Sequence, residues 1–96
     1  LYKEALAAFA RVVLLATPEA DISIKIQAAL ALAERMQLMQ YREDEEAYRE
    51  TAAELAQFLS KMGRINALWI RKKLRDAASW KAMRNDEAIQ QIHQLT

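Results

Sequence analysis

The sequence predicts an all-α fold, a compact bundle of four to five helices in a single domain, and three observations predict it. Helix breakers are scarce: 96 residues include one glycine and one proline against nineteen alanines. Alanine, with the abundant Leu, Met, Glu, Gln, Lys and Arg, loses least on entering a helix. Apolar residues recur at three- and four-residue spacing in successive segments, and capping residues stand between those segments. A chain of this length buries roughly two thirds of its unfolded surface, enough for one core, so residues 1–96 are expected to form one helical domain.

The first helix is written in LYKEALAAFARVVLLA, where Tyr2, Leu6, Phe9 and Val13 share a face and Lys3, Glu4 and Arg11 fall elsewhere. TPEAD then reads as a stop followed by a start. Thr17 suits an N-cap, Pro18 suits the first helical position, where its missing N–H has no partner to lose, and Glu19 and Asp21 favour the positive end of the helix dipole. DISIKIQ alternates apolar and polar residues at period two, the pattern of a strand. The run is short, however, and leads into AALALAERMQLMQ at helical spacing. It is therefore assigned to the second helix, with Ile22, Ile26, Ala29, Ala33 and Met36 on one face and Ile24, Leu32 and Met39 widening the buried arc.

YREDEEAYRE is the most polar stretch and contains neither Gly nor Pro. A single helix from Pro18 to Leu59 would far exceed the average of about 11 to 12 residues and could not fold back on itself, so a break is expected near Arg42 to Asp44. The third helix has its seam at Tyr48, Ala52, Leu55, Leu59 and Met62, with Glu46, Glu50 and Glu54 opposite, and stops at Gly63. The fourth opens near Arg64 with a stripe of Ala67, Ile70, Leu74, Ala77 and Ala78. Leu68 and Trp69 lie off that stripe, so either the bundle wraps around them or they belong to an exposed binding face. Asn85 to Glu87 then caps a short closing helix, AIQQIHQL. Phe9, Val13, Ile26, Leu55, Leu59, Ile70 and Leu74 are predicted to be buried.

Catalysis is not expected. Without cysteine there is no disulfide, thiolate metal site or cysteine nucleophile, and a reducing cytoplasm is the expected location. Because the chain opens at Leu1 rather than a methionine, a targeting segment could have been trimmed away, and that location is inferred from composition alone. No apolar run approaches the ~20 residues of a membrane span. His93, the only histidine, has no second histidine or cysteine with which to share a metal and is expected to be exposed or to cap a helix. Glu43, Asp44, Glu45 and Glu46 are consecutive, so on a helix they point in different directions and form no acid/base pair. No glycine-rich phosphate loop or nucleophile motif is present. No cofactor and no metal are expected.

Charge is the unusual feature. Residues 1–60 carry six basic and ten acidic groups, net −4; residues 61–84 carry eight basic and one acidic, net +7; residues 85–96 carry two acids. The candidate nucleic-acid-binding set is Arg64, Trp69, Arg71, Lys72, Lys73, Arg75, Lys81 and Arg84, the cations to meet phosphates and Trp69 to stack on or wedge between bases. Lys61 belongs to the same basic segment, and Trp80 offers a second flat face. Arg64, Arg71, Lys72 and Arg75 are expected to cluster away from Ala67, Ile70 and Leu74, with Lys73 peripheral.

The stretch TAAELAQFLSKMGRINALWIRKKLRDA resembles a helix-turn-helix motif, with Leu55, Ala56 and Leu59 matching its first helix. Ser60 stands where glycine is usual, and the second helix aligns only with a lengthened turn; no strand pair follows to form a wing. The resemblance covers about a quarter of the chain and implies contact with nucleic acid, DNA or RNA, through the second helix. A second expectation uses the same basic helix differently, as a protein interaction or oligomerisation surface that meets an acidic protein partner or the REDEE segment of a second copy.

Overall fold

The periodicities become five helices in the computed structural model, which describes residues 2–17, 19–82 and 92: α1 (Tyr2–Leu15), α2 (Ile22–Tyr41), α3 (Glu45–Lys61), α4 (Arg64–Asp76) and α5 (Ala78–Ala82). They form an all-α bundle, and no strand occurs among the described residues. α2 is the hub and touches each of the other four helices. A helix surrounded in this way needs apolar or small residues around most of its circumference. Ala28, Ala29, Ala31, Leu32, Ala33, Met36 and Met39 supply them, and Lys25 is buried as well.

α2 starts later than the sequence suggests. Thr17 is not its N-cap; the Thr17 carbonyl only accepts a turn hydrogen bond from the Ala20 N–H, 3.0 Å. Asp21 takes the cap position, and its own carbonyl accepts from the N–H groups of Ile24 and Lys25. Asp21 is as good a cap residue as Thr17, so the helix start was ambiguous by four residues. Pro18 lies outside the described residues.

The break between α2 and α3 falls at Arg42 to Asp44, as its polarity suggests. Asp44 N–H bonds back to the Met39 carbonyl (3.0 Å) and Glu43 N–H to the Gln40 carbonyl (3.1 Å). This paired pattern is a Schellman stop, whose left-handed residue is usually glycine. Here it is Glu43, at φ 59°. Asp44 then starts α3: its side chain accepts from the Ala47 N–H at 3.1 Å, and Glu45 and Glu46 fill the first turn.

α3 buries Tyr48, Ala52, Leu55 and Leu59 along its seam, with Met62 buried just beyond its end. Across its flank, Arg35 on α2 donates from Nε to Thr51 Oγ1 (3.1 Å) and forms an ion pair with Glu54. Thr51 passes its own hydroxyl hydrogen to the Ala47 carbonyl, so this buried polar contact is closed on itself. Gly63, at φ 81°, leaves α3 and is also the N-cap residue of α4.

Leu55, Leu59, Ile70 and Leu74 lie at the centre of the core, as predicted, whereas Phe9, Val13 and Ile26 are only half-buried. For Phe9 and Val13 the cause is that α1 is peripheral, packs chiefly on α2 and has no fully buried residue; Ile26 lies near the start of α2, where Ile22 and Ile24 are exposed. At the start of α1, Arg42 lies 3.9 Å over the Tyr2 ring and Tyr2 donates to Met39 Sδ at 3.4 Å, tying α1 to the end of α2.

The predicted stripe of α4 also ends early. Ala77 is extended (ψ 139°), so the helix stops at Asp76; Ala77 is half-buried and Ala78 is exposed. This break shifts the phase of the chain and turns Trp80 into the core, where it is 8% exposed. Ile92 is helical and buried in the same core. The remainder of the predicted closing helix, with Asn85, His93 and Arg84, lies outside the described residues.

Candidate binding face on α4

α4 presents two opposite faces. Its inward face is Ala67, Ile70 and Leu74, all buried. At about 100° per residue, Ile65, Leu68, Trp69 and Lys72 come round on the other side with i, i+3, i+4, i+7 spacing. The bundle does not wrap around them: Ile65 is 73% exposed, Leu68 44% and Trp69 54%. Together the four line a shallow groove of about 220 Å³. Lys72 Nζ sits 5.8 Å from the centroid of the Trp69 ring, a cation–π contact that holds the indole beside its own helix.

The cations distribute around this apolar centre. Arg64, Arg71 and Arg75, spaced i, i+7 and i+11, fall along one edge, and Lys73 falls on the other. Arg64, Lys72, Lys73 and Arg75 are exposed, while Arg71 is half-buried. Burial first, and the neighbouring Arg75 charge second, lower the Arg71 guanidinium from its ordinary value. α4 therefore brings together Arg64, Trp69, Arg71, Lys72 and Arg75 of the predicted set, and places Lys73 apart from them. Lys81 is exposed but belongs to α5, beyond the break at Ala77. Trp80 is corrected outright: a ring inside the core is no platform for a base. Ile65 was missed, although its spacing from Leu68 and Trp69 was available in the sequence.

The helix-turn-helix likeness does not extend to the connection. α3 and α4 are joined through Met62 and Gly63 alone, shorter than the three- to four-residue turn of that motif. The centre of the outward face is also apolar, whereas base edges in the major groove are read by hydrogen-bonding side chains. Elsewhere, no group of three His, Cys, Asp or Glu side chains able to hold a metal stands among the described residues. No described helix is long and apolar enough to cross a membrane. No protein-family model, curated protein or solved structure matches the chain.

Proposed function

We propose that the protein is a non-enzymatic interaction module that holds an acidic amphipathic helix of a partner protein on the outward face of α4. One observation carries this reading: three large apolar side chains, Ile65, Leu68 and Trp69, stand in water on the side of α4 opposite its core face. A partner helix that covers them recovers roughly 25 cal/mol for each Å² of apolar surface removed from water. Around them Arg64, Lys72, Lys73 and Arg75 form a cationic rim, which attracts acids flanking the partner's apolar stripe and repels a basic helix. The cysteine-free composition suits such a module to a reducing cytoplasm.

The line of Arg64, Arg71 and Arg75 supports a second reading, phosphate contacts to nucleic acid with Trp69 stacked on an unpaired base. That reading leaves Ile65 and Leu68 without an apolar target, apart from a thymine methyl. Trp69 emission, titrated with an acidic amphipathic helical peptide and separately with a mixed-sequence oligonucleotide, decides between them. The peptide is expected to bind, with Leu68→Ala weakening it at least about tenfold and Arg75→Ala weakening it less. Binding of the oligonucleotide alone, with the largest losses in Arg64→Ala and Arg75→Ala, would put the nucleic-acid reading in its place.

A further inference from the structure

We infer that the α4 groove also receives a second copy of this chain, whose Tyr41 and acidic turn between α2 and α3 take the place of the partner helix; this rests on the reading of α4 as a protein-binding face. Tyr41 ends α2 and is 86% exposed, more than any other large hydrophobic side chain described. Glu43, Glu45 and Glu46 follow it and are all exposed, with Glu45 paired to Arg49 at 3.1 Å. One end of the molecule thus carries an exposed aromatic ring, beside Glu34 and Gln37 of its own helix, followed in the chain by Arg42 and then these exposed carboxylates. The α4 face is an apolar groove set among Arg64, Lys72 and Arg75.

The two surfaces complement each other in charge. The groove beside Trp69, about 220 Å³ and open to solvent, offers apolar contact for one phenol ring on Ile65, Leu68 and the indole. Aromatic pairs add offset or edge-to-face attraction to that burial. Glu43 and Glu46 then meet the cationic rim. The simplest alternative between copies, α4 against α4 about a two-fold axis, sets five cations on each side against five like charges with only Asp76 to offset them. Charge therefore selects a contact between unlike surfaces, in which the groove is donated by one copy and the ring by the other.

Analytical ultracentrifugation of the intact chain, from micromolar to millimolar concentration at low salt, tests this with two variants. Both sites are on the surface, and circular dichroism verifies that both variants keep the parent's helicity. Trp69→Ala with Leu68→Ser removes the groove; Tyr41→Ser with Glu46→Lys removes the ring and a carboxylate. The parent is expected to self-associate, and each variant alone to associate at least about tenfold more weakly. An equimolar mixture of the two variants is expected to associate again, because one intact groove meets one intact ring. A parent that stays monomeric, or a mixture that does no better than its components, overturns the inference. A monomeric parent that still binds the acidic helical peptide leaves the proposed function standing and removes only self-recognition. A parent that does neither removes both.

Discussion

Glu43 and Gly63 occupy the two positive-φ positions of the described chain, and chemistry is matched to conformation at only one of them. A Cβ at φ 59° crowds the following carbonyl, a cost of roughly 1 kcal/mol that glycine escapes. Glu43→Gly is therefore expected to raise stability by about 0.5 to 1 kcal/mol, less whatever glycine adds to unfolded-chain entropy, read as a higher midpoint in urea at unchanged slope. Gly63 is the converse. At φ 81° and ψ 158° it lies in a region that other residues essentially never occupy, although a Cβ there would meet no atom within 4 Å. Gly63→Ala should consequently cost about 1 to 3 kcal/mol through backbone strain alone, with no steric clash to relieve. A cost near zero would show that the α3–α4 connection relaxes freely. The sequence announced the second position, since a lone glycine after an amphipathic run is a stop signal; nothing in EDEE distinguishes Glu43 from its neighbours.

At the scale of the helix, α4 separates stability from recognition by side of the cylinder. Ile70 is fully buried and Leu68 is 44% exposed, yet they lie two residues apart on the same helix. Ile70→Ala is expected to cost roughly 2 to 5 kcal/mol of folding free energy. Leu68→Ala should stay within about 0.5 kcal/mol of the parent in folding while weakening partner binding, a contrast that thermal melts and peptide titration measure on the same two proteins. Equal losses of stability would mean that the outward face is packed against something in the free protein. Periodicity makes this geometry legible: the spacing turns Ala67, Ile70 and Leu74 inward and sets Leu68 and Trp69 off the stripe. Spacing gives direction but not depth, which is why Phe9 and Val13 on peripheral α1 share the pattern of Leu55 and Leu59 without their burial. Nor could it foresee the extended backbone at Ala77, because no breaker residue marks it. That one residue exchanges Ala78 for Trp80 in the core and so removes one of two candidate stacking groups.

For the whole molecule the controlling quantity is the charge asymmetry, net −4 over residues 1–60 and net +7 over residues 61–84, within a chain of net charge +1. The sequence disclosed this polarity fully, but left open what its positive part meets, because a cation bonds equally well to a phosphate and to a carboxylate. The two readings of the α4 face differ in their dependence on salt. Contacts from Arg64, Arg71, Lys72 and Arg75 to four phosphates would release condensed counterions, giving a slope of log affinity against log salt near −3.6 on a duplex, or three to four orders of magnitude for each decade. A partner anchored by burial of Ile65, Leu68 and Trp69 loses only the screened attraction of its rim, since the Debye length falls from about 10 Å at 0.1 M to about 3 Å at 1 M while apolar burial is undiminished. Affinity for an acidic helical partner is thus expected to fall by about tenfold or less over that decade, and the fourfold alanine variant should flatten even that dependence while keeping most of the binding. A measured slope steeper than about −3 that collapses in the fourfold variant would assign α4 to nucleic acid and leave Ile65 and Leu68 without a role.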